Sequence, residues 1–421
     1  MTVPRQVYEF LKAASEAHAK WDLEVSMSIL KNRKKLLLLL ILALPIIAVS
    51  FVEAGSLGSH SAYAPSFYTG TIFLVSIGVG LAAGLITGCI GAGGGFIITP
   101  ALMAAGVKGI LAVGTDLFHI FAKAIMGTTV HKKLGNVSVG LAAAFLVGSG
   151  GGTFIGGAIN KGLYNYDPLM SEAFISIVYA ILLGFLGFYG LMDFLSLSRA
   201  ARKGGAAAGG DAHGGPASGT PALATRLQSM HLPPMIAFDE DFVPGGKKIS
   251  GVVIALGGVI VGILAAIMGV GGGFVTFPMF VYIFGVSSMT TVGTDILQII
   301  FTAGLGAIAQ YAIYGYVFYT LAMGMLIGSL IGIQVGALTT KVVKGIHIRG
   351  FYALSIIAGF INRAATLPKK FNGLEVTHFP APLVSGIETV GNYVFWVVVA
   401  VFGLWIFGKF FANICQLKEE E

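Results

Sequence analysis

The chain has 421 residues, of which 56% are hydrophobic and 11% charged, against roughly 25% charged in an ordinary soluble domain. With a mean hydropathy of +0.86, it lacks the polar surface that a water-soluble protein of this size needs. The formal net charge of +7 would suit a nucleic acid, but the basic residues sit between apolar segments, as loop charges of a membrane protein do, so no nucleic-acid partner is expected. The two cysteines, Cys89 and Cys415, have no metal-ligand spacing and form no disulfide framework.

In chain order, residues 1–34 read as a cytoplasmic amphipathic segment with Val7, Phe10, Leu11, Ala14 and Ala17 on one face. A plain tail ending in the basic cluster Lys31, Arg33, Lys34 and Lys35 is an equal reading. Glu9, Glu16, Asp22 and Glu24 exclude a signal peptide. A bilayer core takes about 20 apolar helical residues. Stretches of that kind lie near 35–54, 70–90, 109–130, 137–160, 170–194, 249–268, 289–312, 317–340, 347–363 and 387–410. Two shorter ones, 95–106 and 274–285, read as half-helices, re-entrant segments or short tilted spans. The expected organisation is an extra N-terminal span with its external loop (35–69), a first transmembrane repeat (70–195), a cytoplasmic disordered linker (196–248), a second repeat with a last span (249–411) and a solvated tail (412–421). Within the linker, 203–222 is rich in Gly, Ala, Ser and Pro and nearly free of large apolar residues.

The repeat is carried by three blocks in the same order. GAGGGFIITP at 91–100 matches GVGGGFVTFP at 269–278. VGTDLFHIF at 113–121 matches VGTDILQII at 292–300, and VGSGGGTFIGGA at 147–158 matches IGSLIGIQVGAL at 327–338. If the N-terminus is cytoplasmic and the short segments count as crossings, the basic loops around Lys132, Lys203, Lys247 and Lys344 all fall inside, as the positive-inside rule asks. Lys369 and Lys370 are the exception, on the outside. The halves are then inverted, the plan of many secondary transporters. If the short segments are re-entrant, the halves are parallel instead. The expected fold class is an all-α polytopic membrane protein with two repeats, inverted by this count, and broken glycine-rich helices at their interface.

Glycine runs break helices, and unwound backbone at membrane depth survives only where protein or a water-filled cavity surrounds it. Two such breaks in matching positions point to a transport site. They expose backbone N–H groups at positive helix ends, where an anion can be held. The substrate-site candidates are Gly91, Gly93, Gly94 and Gly95 with Thr99 and Thr115, and Gly269, Gly271, Gly272 and Gly273 with Thr276, Thr294 and Gln298. Asp116, Asp295 and His119 are candidates for coupling, since a carboxylate within a span is expensive and faces the interior. Gly-Thr-Asp is equally a helix N-cap signature. His119 follows Asp116 by three residues and Lys123 follows by four more, so the three are compatible with one polar stripe on a helical face; His119 is also compatible with a satisfied interior histidine, and Lys123 with a side chain snorkelling to the interface. Gln334, opposite Phe154 in the repeat, is a further polar candidate, and Cys89 reads as a small buried thiol. The glycines of 147–158 read as close helix packing. No Walker A pattern, dinucleotide fingerprint or nucleophile–base pair is present, so neither an enzyme nor a cofactor is expected.

The motifs Gly91-Ala92-Gly93-Gly94-Gly95-Phe96 with Pro100, and Gly269-Val270-Gly271-Gly272-Gly273-Phe274 with Pro278, each followed by Val-Gly-Thr, resemble the sulfite exporter TauE/SafE family of permeases. The resemblance implies movement of sulfite, organosulfonates and related small sulfur anions across the cytoplasmic membrane. Asp116 and Asp295 stand where that family often has Ser or Asn. The expectation is therefore a secondary transporter, in the export direction, of a small sulfur-containing anion. The expected setting is the cell inner membrane with a cytoplasmic N-terminus, and the partners are the anion and the lipid bilayer. A homodimer is left open, as are a passive small-anion channel and an uptake permease for a related oxyanion or carboxylate.

Overall fold

In the computed structural model, the described residues are 70–90, 94–133, 138–202, 222–239, 246–339, 343 and 345–412. The expected N-terminal segment and extra span (1–69), Gly91 and Gly93 of the first motif, linker residues 203–221 and all but the first residue of the C-terminal tail lie outside them.

The first half consists of α1 (Gly70–Ile90), the short α2 (Gly95–Ala104), α3 (Gly109–Lys133), α4 (Val139–Tyr166) and α5 (Pro168–Arg202). A helical turn α6 (Ala222–Gln228) and a two-stranded antiparallel hairpin, β1 (Met235–Phe238) with β2 (Lys247–Ser250), lead into the second half. That half consists of α7 (Gly251–Met268), the short α8 (Gly273–Pro278), α9 (Ser288–Leu305), α10 (Tyr319–Thr339) and α11 (Gly345–Gly373), followed by α12 (Ala381–Ala412). Pro278 has no N–H for the ladder, and α8 runs on as a π-helical segment, Met279–Phe284. Eight helices among the described residues are long and apolar enough to cross a bilayer. The protein is a multi-pass, all-α membrane protein. Helix α3 is long enough too, but Asp116, His119 and Lys123 make it less apolar, and residues 109–119 are buried without exception.

Lipid tails are as apolar as leucine, so helices inside a bilayer associate through close packing of small residues rather than through hydrophobic burial. Two crossings are built that way. On α1 and α10, Gly80 meets Met325, Gly84 meets Ser329, Gly328 meets Ile77 and Gly332 meets Leu81. The numbers rise together, so these helices run side by side in one direction. On α4 and α7, Gly148 meets Ala255, Gly152 meets Val259 and Gly156 meets Ile263, again in one direction. The backbones touch: a Cβ on Gly148 would fall 1.8 Å from the Ala255 carbonyl oxygen, and one on Gly328 would fall 2.0 Å from that of Ile77. Two other cross-half pairs run antiparallel. Gly114, Leu117 and Phe121 of α3 meet Tyr311, Gly306 and Gly304, in the last turn of α9 and the π-helical segment Gly306–Tyr311 that follows it, while Gly184, Gly187 and Gly190 of α5 meet Phe360, Ile357 and Ala353 of α11.

The disorder expected over the linker does not extend to its second part. Asp239 accepts hydrogen bonds from the Ser287 amide (2.9 Å) and hydroxyl (2.7 Å) and from the Thr290 hydroxyl (2.6 Å). Gln228 donates to the Phe284 carbonyl at 2.7 Å. These polar groups tie 222–250 to the loop between α8 and α9, a long-range pairing that local composition does not reveal. The N-cap reading of Gly-Thr-Asp also fails, because both copies lie inside helices. The residue capping α9 is Ser287, whose hydroxyl accepts from the Thr290 amide at 3.3 Å.

Gly148→Ala should lower the thermal stability of the purified protein by about 1–3 kcal/mol, the cost of overpacking. Gly151→Ala, one turn along α4 with nothing within 4 Å of its added Cβ, should be neutral or stabilising. Differential scanning fluorimetry of the two variants checks this.

Candidate functional site

The first glycine motif breaks the chain between α1 and α2. At its end, Gly94 packs on α1 so closely that a Cβ would lie 2.5 Å from the Ala83 carbonyl oxygen. The Gly94 amide donates to Thr87 Oγ1 at 3.0 Å, and Lys123 Nζ donates to the same oxygen at 2.9 Å. Thr87 in turn donates to the Ala83 carbonyl at 2.8 Å. Lys123 therefore stands beside the motif, held by a hydroxyl that also holds the glycine backbone.

The second motif is left-handed at three residues, with φ of +81° at Gly269, +63° at Gly271 and +89° at Gly272. Only glycine takes this conformation at no steric cost. The last carbonyls of α7 lack intrahelical partners and are taken by two buried tyrosines: Tyr311 OH donates to Ala266 O and Tyr179 OH donates to Met268 O, each at 2.5 Å. The unwound chain is thus clamped just before it turns into α8.

The two motifs meet. An added Cβ on Gly95 would lie 3.2 Å from Val270 Cα, and one on Gly269 would lie 2.9 Å from Thr99 Oγ1. The rings of Phe96 and Phe274, first turn against first turn, are 5.6 Å apart.

Around this meeting point the polar groups differ between the halves. In the first, Thr99 donates to Asp116 Oδ2 at 3.0 Å, and His119 Nε2 is 3.0 Å from Ser329 Oγ on α10. Asp116 Oδ1 and His119 Nδ1 lie 3.8 Å apart, both fully buried and without a hydrogen-bond partner among the described residues. In the second, Gln298 Nε2 donates to Asp295 Oδ1 at 2.8 Å, and its amide oxygen accepts from Thr302 at 2.8 Å. Thr302 continues to Ser149 on α4 at 2.8 Å. Thr276 donates to the Gly272 carbonyl at 2.9 Å. A carboxylate–imidazole–ammonium stripe on α3 is thus replaced on α9 by a carboxylate held among neutral groups. Among the described residues no group of three or more His, Cys, Asp or Glu could hold a metal.

Thr115 and Thr294 are placed differently from the other candidates. Thr115 Oγ1 accepts the Phe318 amide at 2.9 Å, at the entry to α10, and Thr294 Oγ1 accepts the Ser138 amide at 3.0 Å, at the entry to α4. Each threonine fastens the glycine-striped helix of the opposite half. Gln334 lies on the exposed face of α10. Cys89 is buried, its thiol 3.4 Å from the Gly336 carbonyl. Sequence reasoning missed Lys123 as a neighbour of the motif, and it missed Thr87, Tyr179, Tyr311 and Ser329 altogether. The spacing of Lys123, four residues after His119 and seven after Asp116, places it in the polar stripe of α3 but carries no sign of its contact with the glycine motif.

Eight apolar spans among the described residues, with the family and relatives that follow, make this a membrane transporter rather than an enzyme. The family profile described as Sulfite exporter TauE/SafE matches residues 76–362, and the chain belongs to that family. It is 26% identical over 277 residues, 63% of this chain and 87% of the relative, to the probable membrane transporter protein YunE of Bacillus subtilis (strain 168). It is 24% identical over 259 residues, 62% of this chain and 87% of the relative, to the probable membrane transporter protein YjnA of the same organism. No solved structure is significantly similar.

Thr115→Val leaves the buried Phe318 amide without its acceptor, which should cost about 1–3 kcal/mol of stability, whereas Thr115→Ser should restore the melting temperature. A melting temperature unchanged in Thr115→Val would remove the fastening role.

Proposed function

We propose that this protein is a secondary transporter that moves a small sulfur-containing oxyanion, sulfite or an organosulfonate, across the cytoplasmic membrane in the export direction. The anion is held where the two glycine motifs meet. One observation carries the reading: the starts of the two broken helices lie face to face, Gly95 against Val270 and Phe96 against Phe274. The first amides of a helix have no intrahelical partner, and the helix start carries positive partial charge. Two such starts together offer an anion N–H donors at close approach. Lys123 adds a full positive charge next to Gly94 and offsets Asp116 on the same helix.

We read the halves as inverted repeats with a cytoplasmic N-terminus. The antiparallel pairs α3–α9 and α5–α11 support this, as does the exchange of parallel partners between α1–α10 and α4–α7. The two lysines that break the positive-inside pattern are each paired with a carboxylate, Lys369 with Glu388 at 2.8 Å and Lys370 with Glu172 at 3.2 Å, so they add little net charge on that side.

Coupling to protons falls to Asp116 and His119, whose facing, unpartnered atoms leave room for a proton to be gained and lost. Asp295 is held by Gln298. The test is sulfite flux in proteoliposomes. Wild type should accumulate sulfite against its gradient when a pH gradient is imposed. Asp116→Asn should keep sulfite counterflow within a few-fold of wild type while losing the uphill accumulation. Flux that ignores the pH gradient in wild type would instead mark a passive channel.

A further inference from the structure

Arg363 on α11 is the largest fully buried side chain among the described residues, at 1% exposure. Its Nε and Nη2 donate to Asn362 Oδ1 at 2.8 and 2.5 Å, and its Nη1 donates to the thioether of Met103 at 3.3 Å. Asn362 is held in turn through Asn392 of α12 at 2.7 Å. A guanidinium has five N–H donors, so one is left on each of Nη1 and Nη2, the pair that a bidentate oxyanion engages. Among the described residues no carboxylate lies within 4 Å of Arg363, whereas the neighbouring cations each have one: Lys370 has Glu172 and Lys369 has Glu388. Three cations thus face two carboxylates, Glu172 and Glu388, and the cluster keeps one net positive charge. Arg363, the most deeply buried of the three, has only an amide oxygen and a sulfur in hydrogen-bond contact, an uncommon environment for a cation inside a membrane protein.

Its position is as informative as its charge. Met103 belongs to the far end of α2, the helix that starts at the first glycine motif. The guanidinium is thus joined to the first glycine motif through the length of α2, from Met103 back to Gly95.

We propose that Arg363 is a second anion-binding position on the transport path, taking an oxyanion through Nη1 and Nη2 on its way to or from the glycine motifs. The ligand class is an anion with at least two oxygens on one face, such as a sulfite, sulfonate or carboxylate group; chloride fits poorly. The proposal rests on the transport reading above for the path and for the identity of the anion, while anion binding at Arg363 stands on its own geometry.

The test is stabilisation of the purified full-length protein by sulfite, sulfate, methanesulfonate, acetate and chloride, titrated by scanning fluorimetry on wild type, Arg363→Met and Arg363→Lys. The best oxyanion should need a roughly ten- to hundredfold higher concentration for Arg363→Met, as expected on losing a charge-assisted contact. Arg363→Lys, which keeps the charge but not the fork, should fall between. Without added oxyanion, Arg363→Met should melt no lower than wild type; a marked drop there, with anion affinity unchanged in Arg363→Lys, would assign a structural role and overturn the proposal. Where Arg363→Met does not fold, Arg363→Lys decides: wild-type affinity for every oxyanion overturns it. No stabilisation of wild type by any oxyanion overturns it as well. If sulfite and methanesulfonate fail while acetate acts through Arg363, the substrate of the preceding section falls and this site stands.

Discussion

The structure depends on two helix crossings at which backbone touches backbone. Inside a lipid bilayer there is no gain from hiding apolar side chains from one another. What holds α1 to α10 and α4 to α7 is the closeness that glycine allows, with carbonyl oxygens where a Cβ would stand. Each crossing joins a helix of one half to a helix of the other. Neither half therefore completes its packing alone, and the central elements α2, α3, α8 and α9 are placed by a frame that both halves build. The threonines of the two Gly-Thr-Asp blocks work in the same frame, each holding the entry to the other half's striped helix.

Within that frame the two broken helices are brought to one locus. Their glycines have two separate tasks. Gly94 and Gly95 permit approach, to Ala83 and to Val270. Gly269, Gly271 and Gly272 permit left-handed backbone. The clamps that fix the second break, Tyr179 and Tyr311, come from α5 and from the π-helical segment after α9. They occupy two of the α7 carbonyls that a continuing helix would have satisfied, so the break is stabilised by side chains far away in the chain.

Charge is distributed with less symmetry than the fold. The first half holds Asp116, His119 and Lys123 along one face of α3, while the second answers with Asp295, Gln298 and Thr302. Of the two blocks, only the first has an acid facing a base, Asp116 and His119. The negative charge of the paired acids is offset by Lys123, held with Gly94 on Thr87, and by Arg363 at the far end of α2. Neither cation belongs to the repeated pattern, so neither is found by comparing the halves.

Much of the architecture was legible in the residues. The spans stand out because a bilayer demands about 20 apolar residues per crossing, and 70–90 and 249–268 coincide with α1 and α7 almost to the residue. The twin motifs were legible as helix breaks because glycine runs cannot hold a helix against lipid. Other features were decided only by tertiary structure. Gly-Thr-Asp looked like a cap and lies within a helix, because the true start of α9 is set by Ser287 with Asp239 brought from the linker. Lys123 reads as an interfacial lysine or as part of a polar stripe, and only the packing of α1 against α3 shows it turned to Thr87. Arg363 had no motif at all. Periodicity and composition are local and report which segments cross and where they break. Which polar group meets which depends on the directions in which helices distant in sequence pass one another, and those directions are set by the glycine crossings.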